Sequence, residues 1–95
     1  MSKFENQCVV VTGGASGIGE ATVRAIINEG GSVLIADLQE ERGQALVSEL
    51  GSRAALHFTD VTREDDIVGA IALAQNEFGP LTGMVNNAGV VGAIG

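Results

Sequence analysis

Four short stretches of this chain carry groups able to hold a small molecule, and the first is a glycine turn. Val9-Val10-Val11 leads into Thr12-Gly13-Gly14-Ala15-Ser16-Gly17-Ile18-Gly19. Consecutive β-branched residues suit a strand covered on both faces. The glycines let the backbone turn sharply and let a ligand reach main-chain N–H groups that a β-carbon would screen. Where a helix starts directly after such a turn, its unpaired N–H groups and positive dipole end favour an anion such as a pyrophosphate. The spacing is Thr-Gly-x3-Gly-Ile-Gly, which is neither the general dinucleotide fingerprint nor a P-loop. The other three stretches are Asp37, Asp60-Val61 and Asn86-Asn87-Ala88-Gly89. Asp37 supplies a carboxylate and the Asn pair supplies amides able to tie neighbouring strand ends together, while Ala88 and Gly89 leave room for a ligand to pass.

These groups are useful only if the backbone gathers them, and the pattern between them says how. A first strand is predicted over 8–12 and a helix over 17–29, with Ile18, Ala21, Thr22, Ala25 and Ile26 as the stripe meant for the sheet. Gly30-Gly31 stops that helix. Residues 32–37 read as a second buried strand ending in Asp37. The segment 38–50 reads as a weakly patterned helix, with 39–42 solvated and Leu46 and Leu50 inward. A third strand is expected over 54–59. Thr62-Arg63-Glu64-Asp65 resembles a capping box, with acids in the first turn of the helix behind it. That helix turns Ile67, Ala70, Ile71, Ala74 and Phe78 to one face and ends before Gly79-Pro80. A fourth strand is expected over 81–86, and 90–95 reads as a loop or frayed end.

Alternating strands and helices require right-handed crossovers and a parallel sheet, here with expected order 3-2-1-4: an α/β, Rossmann-type doubly wound fold. All four stretches then fall at the carboxyl ends of strands, where such sheets bind ligands. Asp37 follows Gly19 by 18 residues, close to the offset of about 20 at which an acid meets the adenosine ribose. A carboxylate there would repel a 2′-phosphate by roughly 4 kcal/mol per unit charge at about 4 Å before screening. Gly14, Ala15, Ser16 and Leu38 offer no cation against that, so NAD is expected over NADP.

Composition narrows the alternatives. The 95 residues make one domain, 1–95, with 45% hydrophobic and 18% charged residues, a globular mixture and not a disordered one. A net charge of −7 without a basic cluster argues against nucleic acid or an anionic membrane surface. No apolar run is long enough to span a bilayer and no signal-peptide pattern is present, so the cytoplasm is the expected location. A single cysteine, Cys8, forms no internal disulfide and reads as a small buried hydrophobe. His57 has no second histidine to help hold a metal; no metal site or nucleophile is assigned.

Taken together, Thr12, Gly13, Gly17, Ile18 and Gly19 with Asp60-Val61 and Asn86-Asn87-Ala88-Gly89 resemble the short-chain dehydrogenase/reductase family. The resemblance implies that Asp60 meets the adenine amino group with Val61 beside the ring. It also implies that Ser16 and Ile18 border the pyrophosphate and nicotinamide ribose through their backbones. Asn86 would be structural, and Asn87, Ala88 and Gly89 would lie near the cofactor. The implied cofactor-binding set is Thr12, Gly13, Ser16, Gly17, Ile18, Gly19, Asp37, Leu38, Asp60, Val61, Asn87, Ala88 and Gly89, and the implied activity is hydride exchange between NAD and an alcohol or carbonyl substrate.

Two departures matter. Thr82 stands where the family often has Asp. The family's Tyr-x3-Lys pair has no counterpart, since the sequence holds no Tyr and its one Lys is Lys3. The chain therefore reads as the N-terminal, cofactor-binding portion of such an enzyme, with no catalytic residue to name. A fourth strand lacking its next neighbour is expected to leave the piece marginal or self-associating. A noncatalytic NAD-binding or interaction module remains an alternative, and a methyltransferase fits less well.

Overall fold

The structure is a computed structural model that describes residues 6–15 and 17–87. Its elements are β1 (Cys8–Thr12), α1 (Gly17–Asn28), β2 (Ser32–Asp37), α2 (Glu40–Leu50), β3 (Ala54–Phe58), α3 (Glu64–Phe78) and β4 (Gly83–Asn86). The four strands form one sheet in the order β3-β2-β1-β4, with every pairing parallel. This is the expected doubly wound arrangement.

The central strands show why uninterrupted apolar runs belong here. Val9, Val11, Val33 and Ile35 face one layer, where Val23 and Ile26 of α1 and Leu46 of α2 complete the core. Cys8, Val10, Leu34 and Ala36 face the other layer and meet Ala70 and Ala74 of α3. Side chains alternating between faces leave no polar position in the middle of β1 or β2. Ala70 and Ala74 keep α3 close to the sheet, with Phe78 and Leu81 packing at its end. Among the described residues no helix is long and apolar enough to cross a membrane.

The structure corrects the sequence reading in four places. The buried side of α1 is Gly19, Val23 and Ile26, whereas Ile18 is 78% exposed and Ala21 and Ala25 are also exposed. Of the expected stripe only Ile26 is buried in the core; Gly19 packs against the turn before the helix, and Thr22 and Ala25 line a hollow beside β4. Second, α2 begins at Glu40 and not at 38, because Asp37 Oδ1 accepts the Gln39 N–H at 2.8 Å and holds a turn there.

Third, Thr62 does not cap α3. Its hydroxyl and its N–H both donate to Asp60 Oδ1, at 2.6 and 2.9 Å, and the N-cap is Arg63 without a side-chain bond. Fourth, β4 starts at Gly83 and not at 81; just before it the Thr82 N–H donates to the Cys8 carbonyl at 2.8 Å and the Thr82 side chain adds to that link. Its hydroxyl accepts the Cys8 N–H at 2.9 Å and donates to the Cys8 carbonyl at 3.1 Å. His57 is half-buried, with Nδ1 2.9 Å from the Thr59 hydroxyl. Burial pushes the Cys8 thiol above its usual range.

Candidate functional site

The turn after β1 is held at its root by backbone. The Gly13 N–H donates to the Ala36 carbonyl at 2.7 Å, with Gly13 at φ 68°, so the chain leaves β1 across the tip of β2. Gly17, where α1 begins, is at φ 51°. Both values lie in the left-handed region that L side chains resist. Gly19 answers a different demand: a β-carbon there would lie 1.9 Å from the Gly13 carbonyl oxygen, so the first turn of α1 rests directly on the loop backbone. The N–H groups that open α1 are thereby brought beside the end of β1, the arrangement that attracts an anion.

The neighbouring strand tips are tied into the same edge. The Thr59 N–H donates to the Asp37 carbonyl at 3.0 Å and the Asn87 N–H to the Thr12 carbonyl at 3.2 Å. Thr12 is buried and its hydroxyl lies 2.8 Å from Asn86 Oδ1 as donor. The Asn87 amide nitrogen is buried and has no hydrogen-bond partner among the described residues. Such a donor is costly unless something accepts from it.

Between β2 and β3 a cleft of about 200 Å³ opens, lined by Gly13, Asp37, Leu38, Asp60 and Val61 together with Thr59 and Thr62. Five of the sequence-predicted residues thus share one hollow. The bonds from the Thr62 hydroxyl and N–H, aided by nearby Arg63, hold the Asp60 carboxyl below the usual carboxylate range. Asp37 is 7% exposed and both its oxygens are engaged, Oδ2 with the Ala15 N–H at 2.9 Å and Oδ1 with Gln39. Each oxygen keeps a second lone pair for a further donor. Hollows of about 480 and 510 Å³ lie beside β4 and at the amino ends of the strands, but neither borders the glycine turn.

Thr12, Gly17, Ile18, Gly19 and Asn87 stand around the turn and the β1 and β4 tips, and Ser16, Ala88 and Gly89 lie outside the described residues. Thr59 and Thr62 were missed because a hydroxyl in a loop gives no periodic signal. Arg42 was missed as well. It reads as a solvated charge in the first turns of α2, yet its Nε donates to the Ala15 carbonyl and its terminal nitrogen to Glu20 Oε1 at 3.0 Å. Among the described residues no group of three His, Cys, Asp or Glu side chains is placed to hold a metal ion.

Residues 7–94 match the family model described as short chain dehydrogenase. Momilactone A synthase of Oryza sativa subsp. japonica is 46% identical over 91 residues, covering 95% of this chain and 33% of that protein. The crystal structure of 3-hydroxyacyl-CoA dehydrogenase type-2 from Mycobacterium avium superimposes with a TM-score of 0.82 at 48% identity, over 87% of this chain and 32% of the other. That of 3-ketoacyl-(acyl-carrier-protein) reductase from Brucella melitensis complexed with NADH gives 0.81 at 26% identity, over 84% and 33%. The chain therefore spans about a third of the length of the curated relatives it matches.

Proposed function

Because this chain belongs to the short-chain dehydrogenase/reductase family, we propose that it binds the adenosine and pyrophosphate parts of NAD and forms the cofactor half of an oxidoreductase acting on an alcohol or carbonyl. The observation that carries the reading is the contact of Gly19 on Gly13, which presents the start of α1 to an anion at the point where β1 and β4 diverge. The buried amide nitrogen of Asn87, without a hydrogen-bond partner among the described residues, fits a ligand with acceptor atoms at the same edge.

Gly13, Gly17, Ile18 and Gly19, with Ser16, would hold the pyrophosphate through main-chain groups. Asp37 would accept the ribose hydroxyls through its remaining lone pairs and disfavour a 2′-phosphate, with Leu38 beside it. Asp60 and Val61 would border the adenine in the cleft, and Asn87, Ala88 and Gly89 the nicotinamide side. When bound, NAD supplies the hydride acceptor or donor; this chain's part is to orient it. The reading includes self-association, since among the described residues β4 has β1 as its one strand neighbour and an apolar hollow lies beside it. It also includes a cytoplasmic setting.

Titrating the chain with NAD, NADP and S-adenosylmethionine tests the ligand, with binding by NAD ahead of the other two expected. A folded sample that ignores NAD at millimolar concentration, or prefers S-adenosylmethionine, refutes the reading. Sedimentation tests the association, and a stable monomer with a cooperative melt refutes that part alone.

A further inference from the structure

We propose that Arg42 is a positioning residue for the glycine turn, gripping Ala15 from its carbonyl side while Asp37 grips it from its amide side. The consequence for cofactor affinity rests on the NAD reading above; the grip itself does not.

Ala15 is fully buried, and among the described residues neither of its backbone groups bonds the backbone of a strand or helix. Its N–H donates to Asp37 Oδ2 at 2.9 Å, from the end of β2, and its carbonyl accepts from Arg42 Nε, from α2. The residue lies between Gly13 and Gly17, both in the left-handed region, where a chain otherwise keeps many conformations. Holding it from both sides fixes the direction of the peptides in the turn before a ligand arrives, which lowers the ordering cost of binding.

Arg42 is itself braced. Its terminal nitrogen bonds Glu20 Oε1 at 3.0 Å, and the other Glu20 oxygen accepts from Arg24 Nε at 3.0 Å, so a cation from α2 is locked to an acid in the first turn of α1. The planar fork spends one edge on the turn and another on Glu20, a division a lysine ammonium on its flexible stem reproduces poorly. Two of its three guanidinium nitrogens are spent, Nε on the turn and one terminal nitrogen on Glu20, and it is through Ala15 that Arg42 reaches the site.

The test compares Arg42→Ala, Arg42→Lys and Arg24→Ala in the whole chain, reading NAD affinity, adenosine affinity by amide shifts, and hydrogen exchange at the Ala15 amide. Arg24 shares the ion pairs but touches no part of the turn. Arg42→Ala is expected to weaken NAD about three- to tenfold, the effect of one charged hydrogen bond at a half-exposed position. Adenosine affinity should stay within about twofold and Ala15 exchange should quicken about tenfold. Arg42→Lys should fall between, and Arg24→Ala should match the parent in all three. Unchanged Ala15 exchange in Arg42→Ala overturns the grip, whether or not the parent binds NAD. So does equal weakening of NAD and adenosine, or the same losses in Arg24→Ala. A parent chain that takes no NAD refutes the cofactor reading instead, and the exchange measurement still decides the grip.

Discussion

Replacing Gly19 with Ala probes the contact on which the glycine turn depends. A carbon ordinarily stands about 3.3–3.6 Å from a carbonyl oxygen, so a β-carbon 1.9 Å from the Gly13 oxygen is short by roughly 1.4–1.7 Å. It would also lie 2.7 Å from the Gly13 carbonyl carbon. Both opposing atoms are backbone and Gly13 is itself pinned to Ala36, so no rotamer change relieves the clash and the helix must lift from the turn. Overpacking of this kind costs about 3 kcal/mol, against which a helical Ala returns about 1 kcal/mol. The net loss of about 2 kcal/mol corresponds to a fall in Tm of roughly 8–16 °C for a domain of this size. A shift of the α1 N–H groups away from the turn should also weaken NAD by about tenfold or more. Thermal melts followed by circular dichroism and NAD titration read the two effects. Gly83→Ala is the control, since its β-carbon meets Val9 at an ordinary 3.8 Å. If Gly19→Ala melts with the parent and binds NAD as well, the close approach of α1 to the turn is not what shapes the site.

Other outcomes follow from single side chains. Asp37→Ala should raise NADP affinity relative to NAD in parallel titrations, and it should destabilise the fold by about 1–3 kcal/mol in denaturant melts by stranding the buried Ala15 N–H; an unchanged cofactor ratio would refute its role at the ribose. Thr82→Val removes both hydroxyl bonds to Cys8, leaving the Thr82 N–H on the Cys8 carbonyl, and should cost about 1–2 kcal/mol by the same measurement by stranding the buried Cys8 N–H; an unchanged melt would refute that role of the hydroxyl. Asp60 ionises more readily when folded, so its contribution is complete above the ordinary carboxylate range and fades as pH falls through its lowered value. Denaturation midpoints measured down through that acid window should decline less steeply in Asp60→Asn than in the parent; identical slopes would count against the Thr62 bonds.

The topology was legible because two signals agree in β1 and β2: apolar residues at every interior position, and turn glycines after β1 and before β2. Strand tips bearing Asp37, Asp60 and Asn87 follow from that topology. The face of α1 was not legible. Ile18, Ala21, Thr22, Ala25 and Ile26 form a good apolar stripe, yet of these only Ile26 joins Val23 against the sheet, and the close approach of Gly19, whose missing side chain is invisible to a hydrophobicity pattern, helps set that face. Thr62 and Thr82 illustrate a second limit. A hydroxyl bonds whichever acceptor or donor the fold brings nearest, so Asp60 captures one and Cys8 the other. Arg42 marks a third: an exposed helical cation looks alike whether it meets only water or reaches a carbonyl on another element 27 residues away.

The parallel pairing of β1 with β4 joins Val9 to Gly83, and this governs the order in which the molecule can be assembled. At a synthesis rate of about 5–20 residues per second, roughly 4–15 s separate the emergence of these two partners from the ribosome. The fully buried strand β1 is thus made well before the partner that flanks its second side. During that interval first β2 and then β3 emerge and can dock, while the opposite margin of β1 offers unpaired amides and carbonyls to any passing extended chain. A nascent polypeptide of this design therefore has its most vulnerable moment at its centre and not at its ends.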